Sequence, residues 1–222
     1  MKILFVSRDI PKGMYDILKD KYNIRLMRPC ERLDLPVCTH ADMILGVVDG
    51  GAIVTREYYE KNADLFSGVD PVITEEAQGG EYPRDILLNF IDVKTAVIGL
   101  EKHITRYAKT KPVINVKQGY ARCSTLLGEG YAVSSDAGIL SALSSLNYDT
   151  LLICPGDIVL NGCGYGFIGG ASFVDGGDVY FFGSLSYHKD GERIRQFLKV
   201  HKAKIHELAD TPLTDLGGAV VL

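Results

Sequence analysis

The feature that most constrains this chain is an internal repeat. Three stretches, residues 40–73, 121–154 and 169–208, share one plan: a short apolar strand, a glycine turn, a second β-rich strand, an amphipathic helix and a third strand. The turns read Asp49-Gly50-Gly51, Gly128-Glu129-Gly130 and Asp175-Gly176-Gly177. Glycine at such places supplies the positive φ that tight hairpins need, so each stretch is predicted to contain a hairpin.

Two further copies complete the pattern. Residues 83–116 form a weaker copy without a glycine turn, in which we expect a first strand over 85–90 and a helix over 100–108. The last copy is divided between the chain ends. Residues 213–222 supply a first strand, and residues 1–27 supply the second strand, a helix and the third strand. Pairing the two ends is therefore expected to complete the fifth unit.

Equivalent positions in the five copies, roughly 40 to 50 residues apart, use up the whole chain. They are Asp42, Asp85, Cys123, Ser172 and Asp215. The predicted fold is thus of the α/β (α+β) class: a single domain over 1–222, built as a five-bladed propeller of ββαβ units. An open α/β sheet is the alternative. The repeated hairpin favours the propeller, because βαβ windings do not place a tight turn between consecutive strands.

The amino-acid composition limits which kinds of binding partner can be expected. The 28 acidic residues outnumber the 24 basic ones, which argues against nucleic-acid binding. No apolar run is long enough for a transmembrane helix, so we expect no membrane partner. The five cysteines are an odd number in a chain long enough to fold without disulfides, which predicts reduced thiols and a cytoplasmic location. The oligomeric state is left open.

If the five units surround one axis, the residues just before and on each first strand converge there. That set contains a thiol, an imidazole and carboxylates, and its members are His40, Asp42, Arg84, Asp85, Arg122, Cys123, Ser172 and Asp215. It provides a nucleophile, a base and groups that could bind a cation. Arg122, next to Cys123, is expected to lower the pKa of the thiol.

Two short segments of this set resemble motifs of the pentein superfamily, the β/α-propeller enzymes that modify guanidino groups. They are His40-Ala41-Asp42 before an apolar run, and Gly119-Tyr120-Ala121-Arg122-Cys123-Ser124-Thr125. The architecture resembles the family over the full length. The resemblance implies that Cys123 is the nucleophile, that His40 is the general base and that Asp42 binds a guanidinium group.

The sequence departs from the family in two units. Thr214-Asp215-Leu216-Gly217-Gly218 stands where the family has Glu-Gly-Gly-Asp, whose Glu orients the catalytic histidine, so Asp215 is expected to take that role. Gly169-Gly170-Ala171-Ser172 stands where family deiminases have a second guanidinium-binding Asp. Arg122, Asp85 and Ser172 complete the predicted substrate-binding set, although a structural role is the favoured interpretation of Asp85.

The predicted function is that of a cysteine-dependent hydrolase or deiminase. It would act on the C–N bond of a guanidine, an amidine or a related group through a covalent thioether. A small cationic substrate is the expected partner, and no metal or organic cofactor is implied. The alternative is a non-catalytic pentein-fold binding protein, like the factor that keeps ribosomal subunits apart, or a catalytically degenerate member. In that interpretation Cys123 is a small buried hydrophobe and His40 is a structural histidine.

One tempting motif is set aside. Gly164-Tyr165-Gly166-Phe167-Ile168-Gly169 matches the dinucleotide-binding pattern G-x-G-x-x-G, but the residues that follow are strand-like. Dinucleotide binding needs a helix at that place. We expect these glycines to let the backbone pass close to the central pocket instead.

Overall fold

A computed structural model describes all 222 residues. Its strands, in chain order, are β1 (Ile3–Ser7), β2 (Asn23–Met27), β3 (Gly46–Val48), β4 (Gly51–Thr55), β5 (Val72–Thr74), β6 (Ile91–Val93), β7 (Ala96–Gly99), β8 (Val113–Asn115), β9 (Thr125–Gly128), β10 (Tyr131–Ser134), β11 (Asp149–Leu152), β12 (Ile158–Val159), β13 (Ser172–Asp175), β14 (Asp178–Phe181), β15 (Lys204–Glu207), β16 (Leu213–Thr214) and β17 (Ala219–Val221). Its α-helices are α1 (Lys12–Leu18), α2 (Ala41–Ile44), α3 (Arg56–Lys61), α4 (Ala137–Ser145) and α5 (Gly191–Val200). Short 3-10 helices cover Ala63–Phe66, Arg106–Ala108 and Leu185–Tyr187.

Five three-stranded sheets share one topology. In each, a central strand pairs antiparallel with one neighbour and parallel with the other. The sheet orders are β17-β1-β2, β3-β4-β5, β6-β7-β8, β9-β10-β11 and β13-β14-β15. We call the antiparallel partner the first strand of its sheet, so the first strands are β17, β3, β6, β9 and β13. A sixth, two-stranded sheet pairs β12 with β16. The chain is therefore a mixed α/β protein made of many small sheets.

The two ends of the chain meet in one sheet. Strand β17 pairs with β1 in the register Leu4 with Val221, Phe5 with Val220 and Val6 with Ala219. Ile3 and Leu222 exchange two backbone hydrogen bonds of 2.9 Å. The first strand that β1 needs is thus supplied from the far end of the sequence, as the divided repeat predicts.

Glycine shapes three of the hairpin turns. Gly50, Gly130 and Gly176 have φ values of 76°, 76° and 59°, where a side chain would strain the backbone. The hairpin between β6 and β7 turns on Lys94 and Thr95 without glycine. This difference accounts for the weaker repeat signal in that unit.

The buried apolar side chains form five clusters, and each cluster joins two sheets. Neighbouring residues of a central strand point to opposite faces, so one strand serves two clusters. Phe5 and Val54 share a cluster, as do Ile53 with Val97, Ile98 with Ala132, Val133 with Phe181, and Tyr180 with Leu4. The succession therefore runs from each sheet to the next along the chain, and the fifth cluster returns to the sheet that holds both termini.

The first strands surround one cavity. Its volume is about 360 Å³, and every one of the five first strands contributes to its wall. The wall side chains include Val47, Ile91, Leu127, Val174 and Val221. Asp42, Asp92, Arg122, Thr125 and Ser172 line it as well, so polar groups from four units meet in this cavity.

The structure corrects the predicted first strands. Residues 41–44 are the helical turn α2, and residues 82–88 and 121–124 are turns, so His40, Asp42, Asp85 and Cys123 all precede their strands. The expected helix over 100–108 is reduced to the 3-10 helix Arg106–Ala108. Short runs that are mostly apolar and buried throughout, such as Ile86 to Phe90, lack the period that separates strand from turn or helix.

Two further observations concern the whole chain. None of its helices has the length and apolar character that a membrane crossing requires. All five cysteines carry free thiols; Cys30, Cys38 and Cys123 are buried, and Cys154 and Cys163 are exposed.

Candidate active site

His40 and Asp42 are presented by the short helix α2. The carbonyl of His40 accepts the N–H groups of Met43 and Ile44 at 3.2 and 3.1 Å, which fixes the helical turn. The N–H of Asp42 donates to the carbonyl of Gly217 at 3.1 Å, so α2 is tied to the segment that precedes β17. Both side chains are buried.

Asp215 lies between β16 and β17, and backbone groups hold its carboxylate. The N–H of Phe167 donates to Oδ2 at 2.8 Å and the N–H of Gly217 donates to Oδ1 at 3.0 Å. The loop 166–170 wraps tightly around this side chain. A Cβ on Gly170 would lie 2.0 Å from Oδ1, and a Cβ on Gly166 would lie 2.4 Å from the Cβ of Asp215. Glycine is therefore required at both places.

His40 and Asp215 face each other inside the protein. His40 Nδ1 lies 3.8 Å from Asp215 Oδ1, and only 5% and 3% of the two side chains are exposed. Gly217 has a φ of 76°, and a Cβ there would lie 2.2 Å from the Cβ of His40. The absence of a side chain at Gly217 thus makes room for the imidazole beside the carboxylate.

Cys123 lies in the turn before β9, where Gly170 and Asn89 hold it. Its carbonyl accepts the N–H of Gly170 at 3.0 Å, which connects the thiol segment to the loop around Asp215. The side-chain amide of Asn89 donates to Cys123 Sγ at 2.8 Å. Asn89 is not among the residues that the sequence predicts for the site, because it lies in a mostly apolar run and matches no motif. Its place four residues after Asp85, in the unit before Cys123, is the signal that could have indicated it.

The carboxylate of Asp42 makes no hydrogen bond within the protein, although Arg122 and Cys123 lie near enough for its charge to act on both. Both carboxylate oxygens are buried, and neither accepts a hydrogen bond. Burying an unpaired carboxylate is costly, and such groups ordinarily pair with a cation or a donor. The arrangement therefore presents two free acceptor oxygens inside the protein.

The thiol of Cys123 is neutral at rest, contrary to the expectation drawn from Arg122. Burial raises the pKa of the Cys123 thiol well above its ordinary value, and the negative charges of Asp42 and Asp215 raise it further. The guanidinium of Arg122 donates to the carbonyl of Leu45 at 3.1 Å. Burial lowers the pKa of Arg122 itself, although the charge of Asp42 acts in the opposite direction. Desolvation in the interior outweighs the neighbouring positive charge.

Asp215 also holds its proton more tightly than an ordinary carboxyl group. Burial raises its pKa from 3.8 to about 6, against the opposing effect of His40. The charge of Asp42 adds to the increase, and the hydrogen bonds from Phe167 and Gly217 reduce it.

The remaining predicted residues have other contacts. Ser172 is buried, and its hydroxyl donates to the carbonyl of Ile168 at 2.7 Å. Asp85 accepts a hydrogen bond from the hydroxyl of Tyr120, and burial raises its pKa. None of the hydrogen bonds made by the Asp85 carboxylate goes to Cys123, His40 or Asp215. The carboxylate is thus joined to an aromatic ring rather than to the thiol.

A row of aromatic side chains runs beside these residues. Tyr120 lies 5.6 Å from Tyr82 and 6.2 Å from Phe167, and Phe167 lies 6.2 Å from Tyr165, measured between ring centroids. Tyr82 and Tyr165 are about half exposed. The row therefore extends from the protein surface to Phe167, whose N–H holds Asp215. No group of three or more His, Cys, Asp or Glu side chains is arranged to hold a metal ion.

Comparison with known structures and with protein families gives the fold and the family of the chain. A crystal structure of dimethylarginine dimethylaminohydrolase, as an adduct with 4-chloro-2-hydroxymethylpyridine, matches with a TM-score of 0.56 and 11% sequence identity. The match covers 100% of this chain and 99% of that one, so the protein has a pentein-like fold. The chain belongs to a family of unknown function, DUF6873, whose model matches residues 5–220. No curated protein matches the sequence.

Proposed function

We propose that this protein is a cysteine-dependent hydrolase that cleaves a C–N bond of a small cationic guanidine, amidine or related compound. The observation that carries the proposal is the unpartnered carboxylate of Asp42, whose charge acts on Cys123 inside the protein. The neighbouring pair of His40 and Asp215 supplies a base and an acid beside them. The neighbour of known structure acts, by its name, on dimethylarginine, which carries a guanidino group.

The proposal includes the architecture that creates the site. We take the five sheets to be the blades of one propeller domain over 1–222, closed by β17 and β1. Two observations support this: the buried clusters connect the sheets in a closed succession, and all five first strands line the cavity. Residues that precede the first strands then face one another although they are far apart in sequence.

Asp42 would bind the positive group of the substrate. A guanidinium or amidinium ion offers two parallel N–H donors, which match the two oxygens of a carboxylate. Because both oxygens of Asp42 lack partners, a bound cation would satisfy them without breaking an existing hydrogen bond. We assign Arg122, Ser172 and Asp85 to the surroundings of the substrate. Arg122 and Ser172 line the cavity, and Asp85 keeps a buried Oδ1 without a partner.

The substrate itself would activate the nucleophile. The charges of Asp42 and Asp215 raise the pKa of the Cys123 thiol after burial has done so. A cation bound at Asp42 offsets this negative charge and favours the thiolate. The reactive form of the enzyme would thus appear only when substrate is present, and the resting thiol would be protected from other electrophiles.

The chemistry then follows in two balanced steps. As substrate binds, His40 accepts the proton of the Cys123 thiol. The Cys123 thiolate attacks the planar carbon and forms a C–S bond, His40 passes that proton to the departing nitrogen, and the C–N bond breaks. Water then attacks the same carbon while His40 accepts its proton. The C–S bond breaks, and the Cys123 thiolate takes the proton back from His40 as the product leaves. Asp215 would keep His40 in place and offset its charge when it is protonated.

A substrate screen tests the function. Purified protein is incubated with a panel of guanidines and amidines, and released ammonia, alkylamine, urea and ureido products are measured. We expect the natural protein to turn over at least one compound. Neither Cys123→Ser nor His40→Gln should turn over that compound. Turnover that persists in Cys123→Ser, or the absence of any turnover across the panel, would contradict the proposal.

The second candidate is a binding protein without catalysis. It is favoured by Ser172, which stands where family deiminases carry an aspartate. The hydroxyl of Ser172 already donates a hydrogen bond to the carbonyl of Ile168. A binder needs Asp42 to hold a cation but has no need of Cys123. Binding of a guanidinium compound that survives Cys123→Ala, is lost in Asp42→Asn and leads to no product would favour this candidate.

A further inference from the structure

Asn89 is buried completely and occupies the space between the two motifs that the family resemblance identifies. It comes from the turn before β6, and thus from a unit that contributes no predicted catalytic residue. Its amide oxygen accepts the backbone N–H of Arg122 at 2.9 Å and that of Cys123 at 3.4 Å. Its amide nitrogen donates to Cys123 Sγ at 2.8 Å and to the carbonyl of Asp42 at 3.0 Å.

These contacts fix which way the amide faces. If the oxygen and nitrogen exchanged places, the amide nitrogen would face two backbone N–H groups, and the oxygen would face the carbonyl of Asp42. Every backbone partner of the amide would then be mismatched, and only the sulfurs of Cys123 and Met43 would tolerate the exchange. The amide N–H is therefore directed at the sulfur by the backbone around it.

We infer that Asn89 is a positioning residue, which holds the Cys123 side chain in place and favours its thiolate over its thiol. An N–H donor binds an ionised sulfur more strongly than a neutral one. The inference rests on the proposed function, in which the thiolate is the nucleophile. Asp42 and Asp215 carry negative charges that favour the neutral thiol of Cys123, and the hydrogen bond from Asn89 acts in the opposite direction.

The role of Asn89 predicts a particular effect of Asn89→Asp. Aspartate keeps an oxygen for the N–H groups of Arg122 and Cys123, but it replaces the donor to sulfur with an acceptor. The thiolate of Cys123 should then form only at a pH higher by about one unit or more, a tenfold loss of thiolate at fixed pH. Turnover of a substrate found by the screen should move to higher pH by the same amount.

A matched control is available at Asn62. This residue is also buried, and its amide donates to the carbonyl of Tyr58 at 2.9 Å, away from Cys123. Asn62→Asp makes the same chemical change without a sulfur contact. Ionisation of Cys123 is followed by the ultraviolet absorbance of the thiolate, after subtracting the titration of Cys123→Ser. The titration needs no substrate, so it separates a failure of this inference from a failure of the proposed function.

The expected result is a raised ionisation midpoint in Asn89→Asp and an unchanged one in Asn62→Asp. Equal midpoints in folded Asn89→Asp and in the natural protein would overturn the inference. A measurement on the natural protein applies even where Asn89→Asp does not fold. The side-chain 15N resonance of Asn89 should shift at the pH where Cys123 ionises, and this shift should vanish in Cys123→Ala. A side-chain 15N chemical shift of Asn89 that does not change when Cys123 ionises would also overturn the inference.

Discussion

His40 Nδ1 lies 3.8 Å from Asp215 Oδ1, which is too far for a hydrogen bond but close enough for a strong interaction of charges. The carboxylate is held by the N–H groups of Phe167 and Gly217 instead. Asp215 is therefore fixed by backbone, independently of the state of His40. Its buried position raises its pKa to about 6, so ionising it at neutral pH costs folding free energy.

This cost predicts how Asp215→Asn affects stability at different pH values. The folded protein keeps the proton on Asp215 up to about pH 6, whereas the carboxyl group has a pKa of 3.8 when unperturbed. Between these values the unfolded state loses the proton first, so the free energy of unfolding falls as pH rises. Asp215→Asn has no carboxyl group to ionise, so its free energy of unfolding should not fall in this way. It should gain about 2 kcal/mol over the natural protein from pH 4 to pH 7.

Chemical denaturation at several pH values measures this difference. The exposed residue Asp20 provides the comparison through Asp20→Asn. A stability difference between Asp215→Asn and the natural protein that stays constant from pH 4 to pH 7 would refute the account of the buried carboxyl group. Activity should be lost in Asp215→Asn even as the protein becomes more stable.

Gly170→Ala should disturb the site through sterics alone. The added Cβ would lie 2.0 Å from Asp215 Oδ1, so the carboxylate or the loop must move. A displacement of about 1 Å at such a site can reduce turnover roughly a hundredfold. Gly177→Ala is the control, because no atom lies within 4 Å of its added Cβ. Turnover and thermal unfolding are compared, and equal turnover in the two variants would contradict the geometry.

The pairing of the chain ends should decide whether the protein folds stably. Removing residues 219–222 takes away β17 and exposes Phe5, which packs in the same cluster as Val220. We expect a loss of about 3 kcal/mol or more in the free energy of unfolding. A circular permutant that joins Leu222 to Met1 and opens between Lys109 and Thr110, both exposed, should keep the fold. A truncated protein as stable as the full chain would show that this sheet is dispensable.

The repeat predicts much of this fold because it depends on local chemistry. Glycine turns such as Asp49-Gly50-Gly51 mark hairpins wherever they occur, and the period of the repeat implies that residues 213–222 belong with residues 1–27. The same reasoning brings His40 and Asp215 to one place. Their separation, by contrast, depends on how the loop 166–170 folds around the carboxylate.

Other features lie beyond a sequence argument. The run Ile86 to Phe90 is buried on all sides, so no alternation reveals that it turns or that Asn89 faces a sulfur. The expected influence of Arg122 on Cys123 fails because burial raises the pKa of the thiol, and burial is known only in three dimensions. The positive charge of Arg122, although adjacent in sequence, therefore does not set the protonation state of the Cys123 thiol.

The central claim is that Asp42 recruits a cation whose charge activates Cys123. Chloroacetamidine and chloroacetamide both alkylate thiols with loss of chloride, but only the amidine is a cation. We predict that chloroacetamidine modifies Cys123 at least about tenfold faster than chloroacetamide, while the exposed thiols of Cys154 and Cys163 show no such preference.

The rates are measured at each cysteine by peptide mass spectrometry, in the natural protein and in Asp42→Asn. The account predicts that the preference of Cys123 for the amidine disappears in Asp42→Asn. Equal rates for the two reagents at Cys123 in the natural protein, or a preference that persists without the carboxylate of Asp42, would contradict it.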